Sequence, residues 1–212
     1  MASLGNFDEL NNQESEVSNK IVKFFSEMEL PEEEIKKRIA LALTFEELFE
    51  RLFLLALAMA KVNKVDADWL KTFALTGYVE VLDAHNLDIT DDNILNRAVS
   101  AVESVVDTTL ANIGTIYYLS SDRAVECAEN ETNAVSNYKL EQDAIKAGKK
   151  MKRWKTMLDS KVRKTHIKAD GQEVKIGSPF IVGGYEMMFP LDQSRGAHAK
   201  ETINCRCVCE YF

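Results

Sequence analysis

Three cysteines at alternate positions, Cys205, Cys207 and Cys209, lie near the end of the sequence, with His166 and Asp170 upstream of them. Side chains alternate between the two faces of a strand, so a strand over 205–211 places all three thiols on one face. Such a set has two readings. Cys205 and Cys207, with His166 and a fourth group such as Asp170, His198 or Cys209, suit the tetrahedral nitrogen and sulfur coordination of a structural zinc that staples a loop-rich domain. Equally, three small thiols fill an apolar interior without any metal. His166 and Asp170 also have the form of an imidazole oriented by a carboxylate for proton transfer. Together with Asn204 they would make a metal-dependent nuclease or hydrolase. No nucleophile elbow, phosphate loop or His-Glu-x-x-His accompanies them. A turn at Asp170-Gly171 and a hydrogen-bonded histidine explain the segment without catalysis, so the sequence reads as that of a non-enzyme.

The second chemical feature is a basic run. Between residues 146 and 168 stand Lys146, Lys149, Lys150, Lys152, Arg153, Lys155, Lys161, Arg163, Lys164 and Lys168 against the single acid Asp159. Such a segment binds a phosphate backbone without reading its sequence, and the binding weakens steeply with salt. The DNA-contacting set expected on this ground is Lys149, Lys150, Lys152, Arg153, Lys155, Lys161, Arg163 and Lys164, with Trp154 either stacking on a base or buried in a sheet. The other reading of the run is a solvated surface.

Elements must position these groups, and the sequence divides them unevenly. Seven of the nine glycines lie beyond residue 110, which makes the first half helical and the last part loop-rich. Residues 8–28 carry apolar side chains at helical spacing. A short helix is expected to begin at Pro31, whose missing N–H suits a first turn followed by Glu32, Glu33 and Glu34. Thr44-Phe45-Glu46-Glu47 has the form of a capping box opening a separate helix to about residue 62. Asp66 or Asp68 caps the next, to about residue 84, and Thr90-Asp91-Asp92 introduces a long one whose apolar stripe runs from Ile94 to Ile116. Ser120-Ser121-Asp122 caps a further helix over 123–147, ended by Gly148. Strands are expected at 152–157, 173–176, 180–182, 185–189 and 205–211, with one or two helical turns over 159–167. The fold class is therefore α+β and predominantly α, an N-terminal helical bundle followed by a small, loop-rich antiparallel β-sheet domain.

Composition agrees with a folded protein: 46% of the 212 residues are apolar, enough to bury a core. The net charge of −8 hides an asymmetry, since residues 1–135 hold 11 Lys/Arg against 25 Asp/Glu and residues 136–212 hold 15 against 9. Two oppositely charged halves suit two different partners. The cysteines lack the density of a secreted disulfide scaffold and favour a reducing compartment. The polar, acidic segment 1–19 does not read as a signal peptide, and the apolar run 52–60 is too short to cross a bilayer.

Read together, Glu131-Thr132-Asn133, Trp154-Lys155-Thr156, Asp159, Arg163-Lys164-Thr165-His166, Asp170-Gly171-Gln172, Pro179-Phe180, Gly183-Gly184, Phe189-Pro190-Leu191-Asp192 and Ile203-Asn204-Cys205-Arg206-Cys207 resemble the phage Mu protein F-like head-morphogenesis family in order and spacing. The resemblance covers about residues 120–210. It implies an acidic helical region over 1–119 and a signature domain over 120–212 with a connecting helix at 123–147. It implies a minor capsid protein of the virion, made in the host cytoplasm, with no membrane role. The implied partners are the portal protein, scaffold or capsid protein, and double-stranded DNA contacted without sequence preference. Some relatives carry cysteines near the positions of Arg163 and His166 and a histidine just before the final Asn-Cys-Arg-Cys, which looks like a zinc site. Here Arg163, His166 and Ile203 stand at those places, so a polar cluster of Arg163, His166, Asp170 and Asn204 is the alternative to metal held by His166, Cys205 and Cys207.

Overall fold

A computed structural model describes residues 7–212. In chain order the elements are α1 (Phe7–Ser26), α2 (Glu32–Lys61), α3 (Ala67–Ala84), α4 (Asp92–Ala111), a 3-10 turn (Ile116–Leu119), α5 (Ser121–Lys146), β1 (Met151–Lys155), α6 (Lys164–Ala169), β2 (Glu173–Lys175), β3 (Phe180–Val182), β4 (Tyr185–Met187), α7 (Ala199–Thr202) and β5 (Val208–Tyr211). The fold is α+β and mainly α, as the sequence predicts. The described residues divide into two compact units, one made of residues 7–26 and 39–128, the other of 27–38 and 129–212. Helices α2 and α5 each contribute to both. No helix among the described residues is long and apolar enough to cross a membrane.

The first unit is helical. Phe45, Phe49, Leu52 and Phe53 on α2, Leu70, Ala74, Tyr78 and Leu82 on α3, and Ile94, Ala98, Val102 and Val106 on α4 are buried at spacings of three, four or seven, as one face of a helix requires. The rings of Phe45 and Tyr78 meet at 4.6 Å. Local chemistry ends the helices as expected at several points. Asp66 accepts from the Trp69 N–H at 2.9 Å, and Asp91 from that of Asn93 at 2.8 Å.

Two expectations are corrected here. Thr44 opens no helix: its hydroxyl donates back to the Ala40 carbonyl at 3.0 Å and lies 2.9 Å from His85 Nε2. The first-turn acids and the helix-forming run 40–43 therefore propagate as one uninterrupted α2. The stripe of α4 ends at Ala111 rather than Ile116, because the Asn112 amide takes the Thr108 carbonyl and the chain leaves the helix before Gly114. Ile116 is consequently 87% exposed. Beyond that turn Arg123 is held under Phe53, its guanidinium 4.6 Å from the ring centroid, donating to Thr109 Oγ1 at 2.7 Å and the Tyr118 carbonyl at 2.8 Å.

The second unit carries the strands. A three-stranded antiparallel sheet has the order β2-β1-β5, and β3 and β4 form a separate hairpin. Its core is Ala134, Trp154, Ala169, Phe180, Val182, Met187, Leu191, Ala197, Cys205 and Cys207, with Cys209 packed against it. Gly148 ends α5 at φ +74°, a left-handed conformation that glycine adopts without steric cost.

A buried carboxyl gives the first unit a pH dependence. Glu46 on α2 is 6% exposed and its Oε1 has no hydrogen bond. Burial, then the neighbouring Glu50 and Glu47, pushes its pKa up to about 7. A carboxyl with a raised folded-state value holds its proton in the folded chain where the unfolded chain has lost it. Stability from this group is therefore full at acid pH and declines as the pH climbs from the ordinary carboxylate range through 7. Glu46→Gln is expected to stabilise the helical unit by about 1–3 kcal/mol at pH 8 and by much less at pH 5. Thermal unfolding followed by circular dichroism at the two pH values checks it, and an equal effect at both would refute the assignment.

Candidate functional site

Helix α6 is a single turn and a half, entered through Arg163 in extended conformation. It delivers His166 into the core of the second unit, where the imidazole meets the Trp154 ring edge-on at 5.7 Å. His166 Nδ1 lies 3.3 Å from Cys207 Sγ and 3.5 Å from Cys205 Sγ. The three candidate ligand atoms lie within 4.8 Å of one another, and all three residues are buried. In a tetrahedral zinc site with ordinary Zn–S and Zn–N bonds, the sulfur–nitrogen edge is about 3.6 Å, so the donor set and its spacing fit such a metal. Hydrogen bonding from Cys207 and the adjoining His166 hold the Cys205 thiol well below its usual range, while the shared proton and burial push Cys207 up. One sulfur of the pair is thus predisposed to be a thiolate, the form in which cysteine ligates.

The other imidazole nitrogen faces a residue that sequence reasoning missed. Glu201 on α7 is 5% exposed, and its Oε2 lies 3.3 Å from His166 Nε2. The contact is within ion-pair distance but off the N–H line, so Nε2 makes no hydrogen bond. Thr165 donates to the same carboxylate oxygen at 2.7 Å. Gly183, at φ +60°, lies so close that a Cβ there would stand 2.6 Å from the Glu201 carboxyl carbon. Nothing periodic marks a buried glutamate on a four-residue helix. Only the Gly183-Gly184 step hinted that something approaches the backbone there.

The remaining expected residues are placed as follows. Arg163, His166 and Asn204 border one small cleft with Cys205 and Cys207. Arg163 donates to the Ile203 carbonyl, and Asn204 exchanges hydrogen bonds with Asn130. Asp170 does not join them. Its Oδ1 accepts from the Thr156 backbone at 2.7 Å and hydroxyl at 3.0 Å, tying α6 to the end of β1. The imidazole is therefore faced by Glu201, not Asp170, and the His166, Asp170 and Asn204 side chains do not converge as a hydrolytic set would. Nor does the structure bring in a fourth ligand from the groups expected. His198 is exposed and accepts from the Lys200 N–H. Burial pushes the Cys209 thiol up to about 12. Among the described residues the group able to hold a metal is His166, Cys205 and Cys207.

The two cysteines are held through their backbone. The strand expected from residue 205 starts only at Val208, because side chains of α5 take the upstream carbonyls. Asn133 Nδ2 donates to the Cys205 carbonyl at 2.6 Å, and Asn137 Nδ2 to the Cys207 carbonyl at 3.4 Å and the Pro190 carbonyl at 3.2 Å. Arg38, fully buried, donates to the carbonyl oxygens of both amides and to Glu34. Burial pulls this guanidinium below its ordinary value, with Glu34 opposing the shift.

The basic run is neutralised in part. Lys152 is corrected out of the DNA-contacting set: it is fully buried, bonded to Glu141 at 2.7 Å and the Met188 carbonyl at 2.5 Å. It occupies the inward-facing side of β1, as does Trp154, which is 0% exposed and unable to stack on a base. On the outward side Arg153 pairs with Glu173 and Glu210 across both neighbouring strands. Lys155 pairs with Glu29 at 3.6 Å and Lys161 with Glu27 at 2.8 Å. Lys149, Lys150 and Lys164 are exposed.

A family model described as phage Mu protein F like protein matches residues 93–210. No curated protein and no solved structure matches the chain. The matched span holds His166, Glu201, the cysteines and the asparagines Asn133 and Asn137 of α5, whereas Arg38 lies outside it. Asn133→Ala would leave the Arg38 guanidinium and the Cys205 carbonyl short of a partner in the core, at an expected cost of about 2–4 kcal/mol. Asn130→Ala, at a half-buried position, is expected to cost below about 1 kcal/mol. Urea unfolding followed by Trp154 fluorescence in a Trp69→Phe background measures both, and similar losses would contradict the role given to Asn133.

Proposed function

The chain belongs to the phage Mu protein F-like family, and from that premise we propose that it is a minor head protein of a tailed phage, seated at the portal vertex of the virion. It acts in head assembly in the host cytoplasm and touches the packaged DNA without reading its sequence. Membership of a phage head-morphogenesis family carries this reading. The charge asymmetry supports its two contacts. The acidic excess of residues 1–135 suits docking on the portal, scaffold or capsid protein, because long-range attraction to a basic patch speeds and orients association.

The DNA contact falls to the lysines left unpaired. Lys149 and Lys150 sit in the turn between α5 and β1, and Lys164 begins α6. All three are exposed, as are Lys146 and Lys168 nearby in sequence, and among the described residues none of the five has an ion-pair partner. Cations already satisfied by carboxylates release few counterions and add little to binding.

Two measurements test the proposal. The purified protein should co-sediment with portal protein from the same phage, and failure to do so would end the docking reading. It should also bind double-stranded DNA with an affinity that falls with salt. Replacing Lys149, Lys150 and Lys164 together by Ala should flatten the slope of log affinity against log salt by about 2–3, whereas Arg153→Ala should leave it nearly unchanged. A triple variant indistinguishable from the parent would rule out contact at these lysines.

A further inference from the structure

The geometry points to Glu201 as the positioning residue of the metal site formed by His166, Cys205 and Cys207, acting through the imidazole rather than on the metal itself. This goes beyond the portal and DNA reading and does not depend on it. An imidazole has two tautomers, and one that ligates through Nδ1 must carry its proton on Nε2. Both sulfurs face Nδ1, at 3.3 and 3.5 Å, and the carboxylate faces Nε2, at 3.3 Å. A slight rotation of the ring brings Nε2–H onto Glu201 Oε2 and satisfies a nitrogen that is buried without a hydrogen bond. The carboxylate is placed for this. Thr165 holds it at 2.7 Å, and Gly183 leaves it room that any side chain would close. A carboxylate on the far nitrogen of a ligating histidine fixes the tautomer and ring orientation and raises the basicity of the ligating nitrogen, and its loss typically weakens metal binding 10–100-fold.

Zinc affinity of the full chain, measured by competition with a chromophoric chelator, tests the assignment. Wild type should take up one zinc per chain, and His166→Ala and Cys207→Ser should lose it. Glu201→Ala should bind about 10–100-fold more weakly. Glu201→Gln, which still accepts from Nε2–H, should fall between. Thr165→Val, which leaves the core packed, should weaken binding a few-fold should Glu201→Ala prove too unstable to assay. Two readouts separate positioning from mere support of the fold. In the metal-free protein, nitrogen NMR of the His166 ring should show the proton on Nε2 in wild type and a mixed population in Glu201→Ala. The thiolate-to-metal absorption of the cobalt-substituted protein should shift in Glu201→Ala. A folded Glu201→Ala with wild-type zinc affinity and an unchanged tautomer would overturn the role of Glu201. A wild-type chain that takes up no zinc would overturn the metal site itself. Either result would leave portal docking and DNA contact untouched.

Discussion

The carbonyls of Cys205 and Cys207 have no strand partner, and the second unit depends on what takes them instead. In a sheet these groups would be satisfied by a neighbouring backbone; here two asparagine amides of α5 do it, with a third carbonyl at Pro190 added to the same clasp. An amide that donates from nitrogen leaves its oxygen to be satisfied, and a buried polar atom without a partner is costly. Arg38 meets that need for both asparagines at once, and Glu34 balances the guanidinium in turn. The chain is linked from helix to loop without relying on apolar packing alone. Its consequence is register: the two asparagines, four residues apart on one face of α5, accept only one alignment of 205–207, and a slip would exchange the Cys205 and Cys207 backbone for that of Arg206.

This arrangement explains which parts of the fold were legible in the sequence. Helices with an apolar stripe and an aspartate cap, such as α3 and α4, announce themselves because burial and capping are local patterns. The resemblance singled out Asn133, yet its work did not follow from type or spacing. α5 buries Glu129, Glu131, Thr132, Asn133, Ser136, Asn137 and Glu141, so its inward face is as polar as its outward one and periodicity cannot separate them. The start of β5 was misplaced for the same reason, since alternation of Cys205, Cys207 and Cys209 looks identical whether the backbone bonds to a strand or to asparagine side chains.

Charge was legible only in sum. The basic excess beyond residue 136 is real, but position in the strand decides what each cation does. Along β1 the alternation that buries Trp154 must also bury Lys152, and a buried ammonium needs a partner, which Glu141 supplies. Burial raises that carboxyl above its ordinary range while Lys152 opposes the shift. The outward residue Arg153 lies between Glu173 and Glu210 in register, forming a row whose charges largely cancel. A run read as one basic surface thus includes two strand residues, Lys152 and Arg153, committed to ion pairs, with the uncommitted lysines on the segments flanking the strand.

The same logic locates the cysteine site within the unit. Its groups come from three pieces too short to hold themselves: a six-residue α6 for His166, a loop for Cys205 and Cys207, and a four-residue α7 for Glu201. Isolated helices of that length are unstable in water, so each must be fixed from outside. The asparagine clasp fixes the sulfurs, the Trp154 edge and the Asp170 bonds to Thr156 fix α6, and Thr165 together with the gap at Gly183 fixes the carboxylate. Every one of these supports lies outside the ligand set. The donor atoms are consequently held in ligating geometry by the fold, and a metal that binds them would consolidate an arrangement already formed rather than create it.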